Sequence, residues 1–456
     1  MSRQVFSRRQ FLGAAAVSGS AIIAAACGQA ESPPKPVEKA ADKPAAPVAA
    51  QPASKPAAGG TLNGVFWFNQ PAQQEAFQKI MERFHQSQSK VKLETVLVPA
   101  AEIAAKLATA IAGGTPPDAC RMGGPGLNAL FINNKHAAAL DDFDPKIGTY
   151  DWLPNAKAVV TRDGKMYAMP VNSGVQALIY NRDLYEKAGL DPARPPKTFD
   201  EVLEHSAKIA GSGDGRFGYY NDTAPNSITG GDQFLAILWS FGGREVSEDG
   251  KQVTLNTPEG VAALGFYKAL VDKKGLPQKA LTGPQVLNDF LTGNVGGMFS
   301  YPGNLARAAQ AGFKTVASQL PAGPKGSQSQ MGGGTIIVFE KAKNKEAGWE
   351  FAKFIGLDAA NNAAWNIGFG QLPPRESFRA DPTWKDFEAK TPLVPPYMEA
   401  QKTARLPYYG PGSQEIFTEF GKAIEAVVFG QKTPAQAAEE THKAAQVVLD
   451  RELKKG

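Results

Sequence analysis

The sequence predicts an α/β fold with a largely parallel sheet that helices cover on both faces. Three observations support this class. Residues 62–68 form a short apolar run suited to a buried strand, residues 73–85 carry apolar side chains at helical spacing, and residues 91–98 alternate as in a strand. The chain has 456 residues, which is too long for one compact core and predicts two or three domains.

The later elements continue this alternation. An Ala-rich stretch at 101–112 is typical of a helix, and the glycines and prolines of residues 113–118 end it. Thr198 is placed to cap the next long helix, with Glu201 completing a capping box. Further strands are predicted at 175–180 and 335–339, and further helices at 199–210, 232–241, 258–272, 345–355, 415–429 and 434–453.

The first 27 residues are typical of an export signal. Arg8 and Arg9 form a twin-arginine pattern ahead of a 14-residue apolar run, which is too short to span a bilayer stably. Three alanines precede Cys27, as in a bacterial lipobox, although Ala24 stands where leucine is usual. We therefore expect Cys27 to be lipidated and to become the mature N-terminus. Cleavage after Ala26, which would release the protein, is the alternative.

Residues 28–60 are predicted to form a disordered tether. Seventeen of these 33 residues are Ala or Pro and none is aromatic, so the segment has too little apolar surface to offset its ordering entropy. The net charge of +5 comes mainly from this end of the chain, because residues 61–456 hold 42 basic and 41 acidic residues. A near-neutral body argues against nucleic-acid binding, which needs a concentrated basic face.

The sequence shows no pattern of catalysis. It has no phosphate-binding loop with Walker spacing, and its four histidines are scattered rather than placed as metal ligands. Cys120 lies in an apolar stretch and is expected to be an inert buried thiol. We therefore predict a protein that is not an enzyme and that uses no metal or cofactor.

Five motifs stand in order along the chain, namely the Gly-Thr-Pro-Pro-Asp run at 114–118, Tyr-Ala-Met-Pro at 167–170, Leu-Ile-Tyr-Asn-Arg-Asp-Leu-Tyr-Glu-Lys-Ala-Gly-Leu at 178–190, the Pro-Lys-Thr-Phe-Asp-Glu start at 196–201, and Leu-Pro-Pro-Arg at 372–375. Together they resemble the extracellular solute-binding proteins of ABC importers, specifically the maltose-binding-like sugar group. Phe199 replaces the usual tryptophan of that helix start. The likeness runs from about residue 61 to the C-terminus.

This resemblance implies a two-lobed periplasmic-binding-protein-like (type II) fold with an interlobe cleft and crossing hinge strands. The N-terminal lobe would comprise residues 61–171 and 332–371, and the C-terminal lobe residues 172–331 and 372–456. The implied function is a monomeric, lipid-anchored, extracytoplasmic protein that binds a carbohydrate and delivers it to the transmembrane subunits of an ABC permease. Hinge closure on the ligand would follow by population shift.

Ligands of α/β lobes meet loops beyond strand ends and helix starts, where aromatic rings stack on sugars and polar groups bind hydroxyls. Trp239, Trp349 and Trp365 fall within helices and are expected in the core. Arg121 either binds an anionic ligand or makes a surface ion pair. The candidate ligand contacts are Trp67, Asn69, Gln70, Arg121, Met122, Asp232, Tyr301, Asn304, Gln371, Tyr408 and Tyr409.

Compared with the better-known maltose-binding members that the chain resembles, the matching loops carry fewer acids and aromatic residues, with Met122 and Asn304 where tryptophan is familiar, which disfavours a long maltodextrin. A mono- or disaccharide or a related polyol is the leading ligand class, and a sugar phosphate or glycerophosphate is the alternative. Two other function classes remain open from the sequence. One is a twin-arginine-exported enzyme, and the other is a binding protein that serves a membrane sensor.

Overall fold

The computed structural model describes residues 60–68, 71–99, 102–123, 125–213, 215–225 and 228–454. The predicted signal at 1–27, with Cys27, lies outside the described residues. The same holds for the predicted tether except for its last residue, Gly60.

The strands of the described chain are short. In order they are β1 (Gly60–Phe68), β2 (Val91–Pro99), β3 (Ala119–Gly123), β4 (Thr161–Arg162), β5 (Lys165–Met166), β6 (Met169–Pro170), β7 (Ala177–Asn181), β8 (Phe217–Tyr220), β9 (Val295–Ser300), β10 (Thr315–Ser318) and β11 (Gly334–Val338).

The helices are α1 (Pro71–Ser87), α2 (Ile103–Ala112), α3 (Pro125–Asn133), α4 (Pro154–Ala158), α5 (Arg182–Lys187), α6 (Phe199–Gly211), α7 (Ile228–Phe241), α8 (Pro258–Asp272), α9 (Gly283–Leu291), α10 (Leu305–Ala309), α11 (Lys345–Gly356), α12 (Ala359–Phe369), α13 (Pro382–Lys390), α14 (Pro395–Ala400), α15 (Ser413–Val428) and α16 (Pro434–Leu453). None of these described helices combines the length and the apolar composition that a membrane crossing requires.

The chain builds two main sheets. The first has the strand order β2-β1-β3-β11-β6, and the second has the order β10-β7-β9-β8. In the first, β1 pairs in parallel with β2 and β3, whereas β11 is antiparallel to β3 and β6. In the second, only β8 and β9 are parallel. The sheets are therefore mixed, and the prediction of a largely parallel sheet is wrong. The reason is that β11 enters the first sheet directly from the other half of the chain, without the helical crossover that parallel neighbours need.

Each sheet has its own hydrophobic core. The first core stacks Phe66 against Phe77, with ring centroids 4.5 Å apart, and holds Trp349 and Trp365. The second core surrounds Trp239 and contains the inner faces of α7, α8, α15 and α16. The expectation that these three tryptophans are core residues is confirmed, since none is more than 6% exposed.

Three stretches of chain cross between the two sheets side by side. The first follows β6, the second precedes β11, and the third follows α12. The N–H of Gly174 donates to the carbonyl of Gly332 at 3.0 Å, and that of Ser173 donates to the carbonyl of Leu372 at 2.8 Å. The Asn172 side chain accepts from the Gly334 N–H. These backbone bonds tie the crossings into one connector. The exact lobe boundaries stay a prediction.

Local side-chain bonds fix where α6 begins and where β3 lies. The Thr198 hydroxyl accepts from the Glu201 N–H at 3.2 Å, as a helix cap should. The Glu201 carboxylate, however, accepts from the Lys197 N–H at 2.5 Å, so the reciprocal half of the predicted capping box reaches one residue further back. The Asp118 carboxylate accepts hydrogen bonds from the N–H groups of Asn63 and Asn344, both at 2.8 Å. Asp118 directly precedes β3, so these bonds join the start of β3 to two neighbouring segments.

Candidate ligand-binding site

A cleft of about 520 Å³ lies between the two sheets. Its walls come from both halves of the fold, and its floor includes the glycines of the second crossing, Gly332–334. Loops that lie far apart in the sequence therefore meet here. Five of the predicted contacts line this one cleft, namely Arg121, Asp232, Tyr301, Asn304 and Gln371.

Arg121 extends from β3 into the first wall of the cleft. It is only 3% exposed, and its guanidinium lies 4.6 Å from the ring centroid of Phe369 and 5.7 Å from that of Trp365. Burial lowers the pKa of Arg121 to about 9. Arg121 is therefore not a surface side chain, and its role as an anion contact stays a prediction. The two rings hold the cation by cation–π attraction and leave it facing the cavity.

Asp232 and Tyr301 meet in the opposite wall. Asp232 lies in the first turns of α7, and its Oδ2 accepts from the Tyr301 hydroxyl at 3.0 Å. The same hydroxyl contacts Oε1 of Gln330, whose Nε2 donates to the Tyr409 hydroxyl at 3.3 Å. Burial raises the pKa of Asp232 to about 7, and the bond from Tyr301 opposes this rise. Burial also raises the pKa of Tyr301 well above its ordinary value.

Gln371 projects between two glycines. A Cβ at Gly303 would lie 3.0 Å from its Nε2, and one at Gly174 would lie 3.3 Å from its Oε1. Gly370 just before it adopts φ +61°, a left-handed conformation that ends α12 and turns the chain towards the cleft. The Asn304 side chain donates to Ser300 Oγ at 3.2 Å. Planar amides with free hydrogen-bonding capacity towards a cavity are suited to hydroxyl-rich ligands.

The other predicted contacts lie elsewhere. Met122 is 0% exposed in the first core, because neighbouring strand residues point to opposite faces and Arg121 takes the cleft side. Tyr408 packs against the second core and donates to the Pro411 carbonyl at 3.3 Å. Neither Met122 nor Tyr408 is therefore proposed as a ligand contact. Tyr409 is connected to the cleft through Gln330, which contacts the cleft residue Tyr301.

The side-chain positions of three predicted contacts are not described. Trp67 lies in β1, where its backbone pairs with Val98. Asn69 and Gln70 fall outside the described residues. All three stay predictions.

The predicted contacts omit five polar residues that line the cleft, namely Gln73, Asn172, Gln233, Ser300 and Arg307. Gln73 lies in the first turn of α1, and Arg307 lies in α10, three residues after Asn304. The spacing of three residues is a signal that was available, since residues three apart share a helix face. With Arg307, the described lining has two cationic groups and the Asp232 carboxyl.

The comparison with protein families decides what kind of protein this is. Residues 68–362 match the model of the bacterial extracellular solute-binding proteins. The chain belongs to that family.

Three relatives illustrate how far this likeness extends. A protein of Brucella abortus (strain 2308) that is described as a binding protein is 28% identical over 82% of this chain and 89% of its own length. The sn-glycerol-3-phosphate-binding periplasmic protein UgpB of Salmonella typhimurium is 28% identical over 60% of this chain and 65% of its own. The GacH receptor of Streptomyces glaucescens, solved free and with acarbose, is 28% identical, with a TM-score of 0.72 over 86% of this chain and 99% of that one.

As a solute-binding protein, the chain has the two-lobed periplasmic-binding-protein-like fold of type II, which confirms the predicted fold. The two sheets are the cores of the lobes, the three crossings are the hinge strands, and the 520 Å³ cavity is the interlobe cleft. Cys120 lies outside this cleft, fully buried in the first lobe, and burial raises the pKa of its thiol well above the ordinary value. The expectation that Cys120 is buried is confirmed, and its lack of reactivity stays a prediction.

Proposed function

We propose that this protein captures a mono- or disaccharide or a related polyol in the interlobe cleft and delivers it to an ABC permease. The observation that carries the proposal is a single two-walled cavity in which amides, a phenol and a carboxyl face one space. Its volume of about 520 Å³ falls within the range of about 300–1,000 Å³ for small-molecule sites. A long oligosaccharide would not fit inside it.

A second ligand class has a specific observation in its favour. Arg121 and Arg307 line the cleft from opposite walls, and a group placed between them would meet two cations. Guanidinium groups bind phosphate through directed, charge-assisted bonds. The similarity to a glycerol-3-phosphate-binding relative supports the same class, whereas the similarity to a receptor solved with acarbose supports the first.

The proposed setting is the outer face of the cell membrane. The twin-arginine pattern would export the chain, lipid on Cys27 would anchor it, and residues 28–60 would act as a spacer of about 30 Å as a coil. Labelling cells with a palmitate analogue tests the anchor. A Cys27→Ser variant is the control, and equal labelling of both proteins would contradict lipidation at Cys27.

The ligand class is tested by thermal shift of the purified protein against matched pairs of solutes, such as glucose with glucose 6-phosphate and glycerol with glycerol 3-phosphate. A solute at about 100 times its Kd adds about 2.7 kcal/mol to the free energy of unfolding. A response to a neutral sugar or polyol supports the leading class. A response restricted to phosphorylated members supports the second.

Two arginine variants sharpen the result. Arg307→Gln should weaken the binding of a phosphorylated solute and leave the binding of a neutral solute unchanged. Arg194→Gln serves as the matched control, because Arg194 is exposed between α5 and α6 and does not line the cleft. If no solute of the panel raises the melting temperature of the folded, ligand-free protein, the result would argue against the proposed function and in favour of the sensor or enzyme classes.

A further inference from the structure

Four side chains form a continuous hydrogen-bond chain from the cleft to the connector. It runs from Asp232 on α7 to Tyr301 after β9, then to Gln330 on the second crossing, and ends at Tyr409. Gln330 stands two residues before Gly332, whose backbone pairs with Gly174 of the first crossing. The chain therefore joins the ligand cavity to the segments about which the lobes turn.

A count of protons shows that this chain has two complete arrangements. The phenol of Tyr301 carries one proton, yet it lies between two acceptor oxygens, Asp232 Oδ2 and Gln330 Oε1. If the carboxyl is protonated, Asp232 donates to Tyr301, Tyr301 donates to Gln330 Oε1, and Gln330 Nε2 donates to Tyr409. All three bonds are then satisfied.

Ionisation of the carboxyl reverses every bond. The proton leaves Asp232 for solvent in the cleft, and Tyr301 donates to the carboxylate. Its oxygen then needs a donor, which Gln330 supplies when its amide turns by half a rotation to present Nε2. The buried Gln176 amide, which also interacts with this hydroxyl, is the competing donor. The amide oxygen in turn accepts from the Tyr409 hydroxyl. In the structure Oε1 of Gln330 faces Tyr301, which matches the arrangement with a proton on Asp232.

The groups around Asp232 allow this proton to be exchanged near neutral pH. Burial is the main cause of its raised pKa of about 7, and Tyr301 is the group that acts against it. Helix α7 has no other charged residue. Across the cavity and on the segments packed against α7, the charged and titratable groups are Arg121, Asp222, Glu245, Arg307, Arg405 and Tyr409, with Glu259, Tyr267, Lys268 and Asp272 on α8 and Glu415, Glu419, Lys422 and Glu425 on α15.

We propose that the Asp232–Tyr301–Gln330–Tyr409 chain is a proton-controlled link between the ligand cleft and the hinge, whose bond direction reverses when Asp232 gains or loses its proton. A solute that donates hydroxyl groups to Asp232 favours the ionised arrangement, and a solute with an anionic group favours the protonated one. Either event is transmitted to Gln330 beside the crossing glycines. This consequence for a solute rests on the proposed function, but the link itself does not.

The link is tested without any ligand, so its failure is distinct from failure of the binding proposal. Infrared difference spectra of the purified protein, recorded from about pH 5 to about pH 9, follow the band of a protonated carboxyl around the expected midpoint. In parallel, selective ¹⁵N-glutamine labelling follows the Gln330 side-chain amide, assigned by its absence in Gln330→Met. The wild-type protein should lose the carboxyl band and shift the Gln330 signals with one shared midpoint near neutral pH.

Three variants separate the parts of the link. Asp232→Asn should lose the band and keep the Gln330 signals constant with pH, because the amide of Asn mimics the protonated acid. Tyr301→Phe should keep a titrating band while the Gln330 signals become constant. Tyr408→Phe, whose hydroxyl lies outside the chain, should behave as wild type. The proposal is overturned if the wild-type Gln330 signals do not change over this range, or if they change equally in Tyr301→Phe.

Discussion

The guanidinium of Arg121 lies 4.6 Å from the ring centroid of Phe369, at the point where β3 and the end of α12 meet the cleft. This contact keeps a nearly buried cation at the wall of a ligand cavity. Aromatic rings compensate part of the cost of removing the charge from water, but a desolvated cation remains expensive for the fold. Arg121 is therefore better explained by binding than by stability.

Replacing Arg121 by Met tests that interpretation. Methionine fills a similar volume and keeps contact with Phe369, so the free energy of unfolding should fall by less than about 1.5 kcal/mol or should rise. If a phosphorylated solute is bound, its Kd should rise by tenfold or more, because a hydrogen bond to a charged group contributes about 1.5–3 kcal/mol. Calorimetric titration and chemical denaturation measure the two quantities. A large loss of stability with unchanged affinity would assign Arg121 to the fold.

The position of Gln371 depends on the absence of a side chain at Gly303. A Cβ there would stand 3.0 Å from Gln371 Nε2, so Gly303→Ala should displace the amide from its place in the cleft. We expect a loss of about 1 kcal/mol in solute binding, or about fivefold in Kd, with little change in the melting temperature. Gly312→Ala is the matched control, because a Cβ at Gly312 meets nothing within 4 Å. Equal affinities for the two variants would exclude Gln371 from the site.

The raised pKa of Asp232 predicts the direction in which the free energy of unfolding changes with pH. The native carboxyl, with a pKa of about 7, holds its proton over a range in which the unfolded chain, with a value near 3.8, has lost it. The unfolded state therefore binds fewer protons between these values, and stability falls as pH rises through this window. Above about pH 7 the loss from this group is complete.

Asp232→Asn removes this titration. Melting temperatures of the variant and of the wild type should therefore diverge as pH rises from about 4 to about 7, with the variant becoming relatively more stable. Other groups titrate in both proteins and cancel in the difference. A difference that is constant with pH would show that Asp232 has an ordinary pKa in the folded protein.

The helix bounds were predictable where the sequence contains clear capping residues. Helices α8 and α16 match their predicted ranges, since each follows a threonine N-cap with proline at its first position. The short strands β4, β5, β6, β8 and β10 were not predicted, because two to four residues carry too little periodicity. The mixed sheet order was not predictable either, since it depends on pairing between distant parts of the chain.

The site was predictable as a set of loops and not as a set of side chains. Arg121, Asp232, Tyr301, Asn304 and Gln371 were found because strand ends and helix starts converge on a cleft. Which of two neighbours faces that cleft was not apparent, as Met122 beside Arg121 shows. Arg307 was missed because it lies within a short helix, where its spacing of three residues from Asn304 is a weak signal that it faces the cavity.

Closure of the two lobes gives the last prediction. The connector consists of backbone bonds such as Gly174 to Gly332, which are flanked by glycines and allow rotation at low cost. A solute that contacts both Arg121 on one wall and Tyr301 on the other is bound more tightly by a closed state, and so shifts the population towards it. Small-angle scattering of the purified protein should therefore show a smaller radius of gyration when a solute identified by thermal shift is added to saturation. At a concentration equal to the wild-type Kd, the same solute should contract Gly303→Ala about threefold less than the wild type, because a fivefold higher Kd leaves about one sixth of the variant occupied against about half of the wild type. An unchanged wild-type radius at confirmed saturation would contradict closure as the signal that a permease recognises.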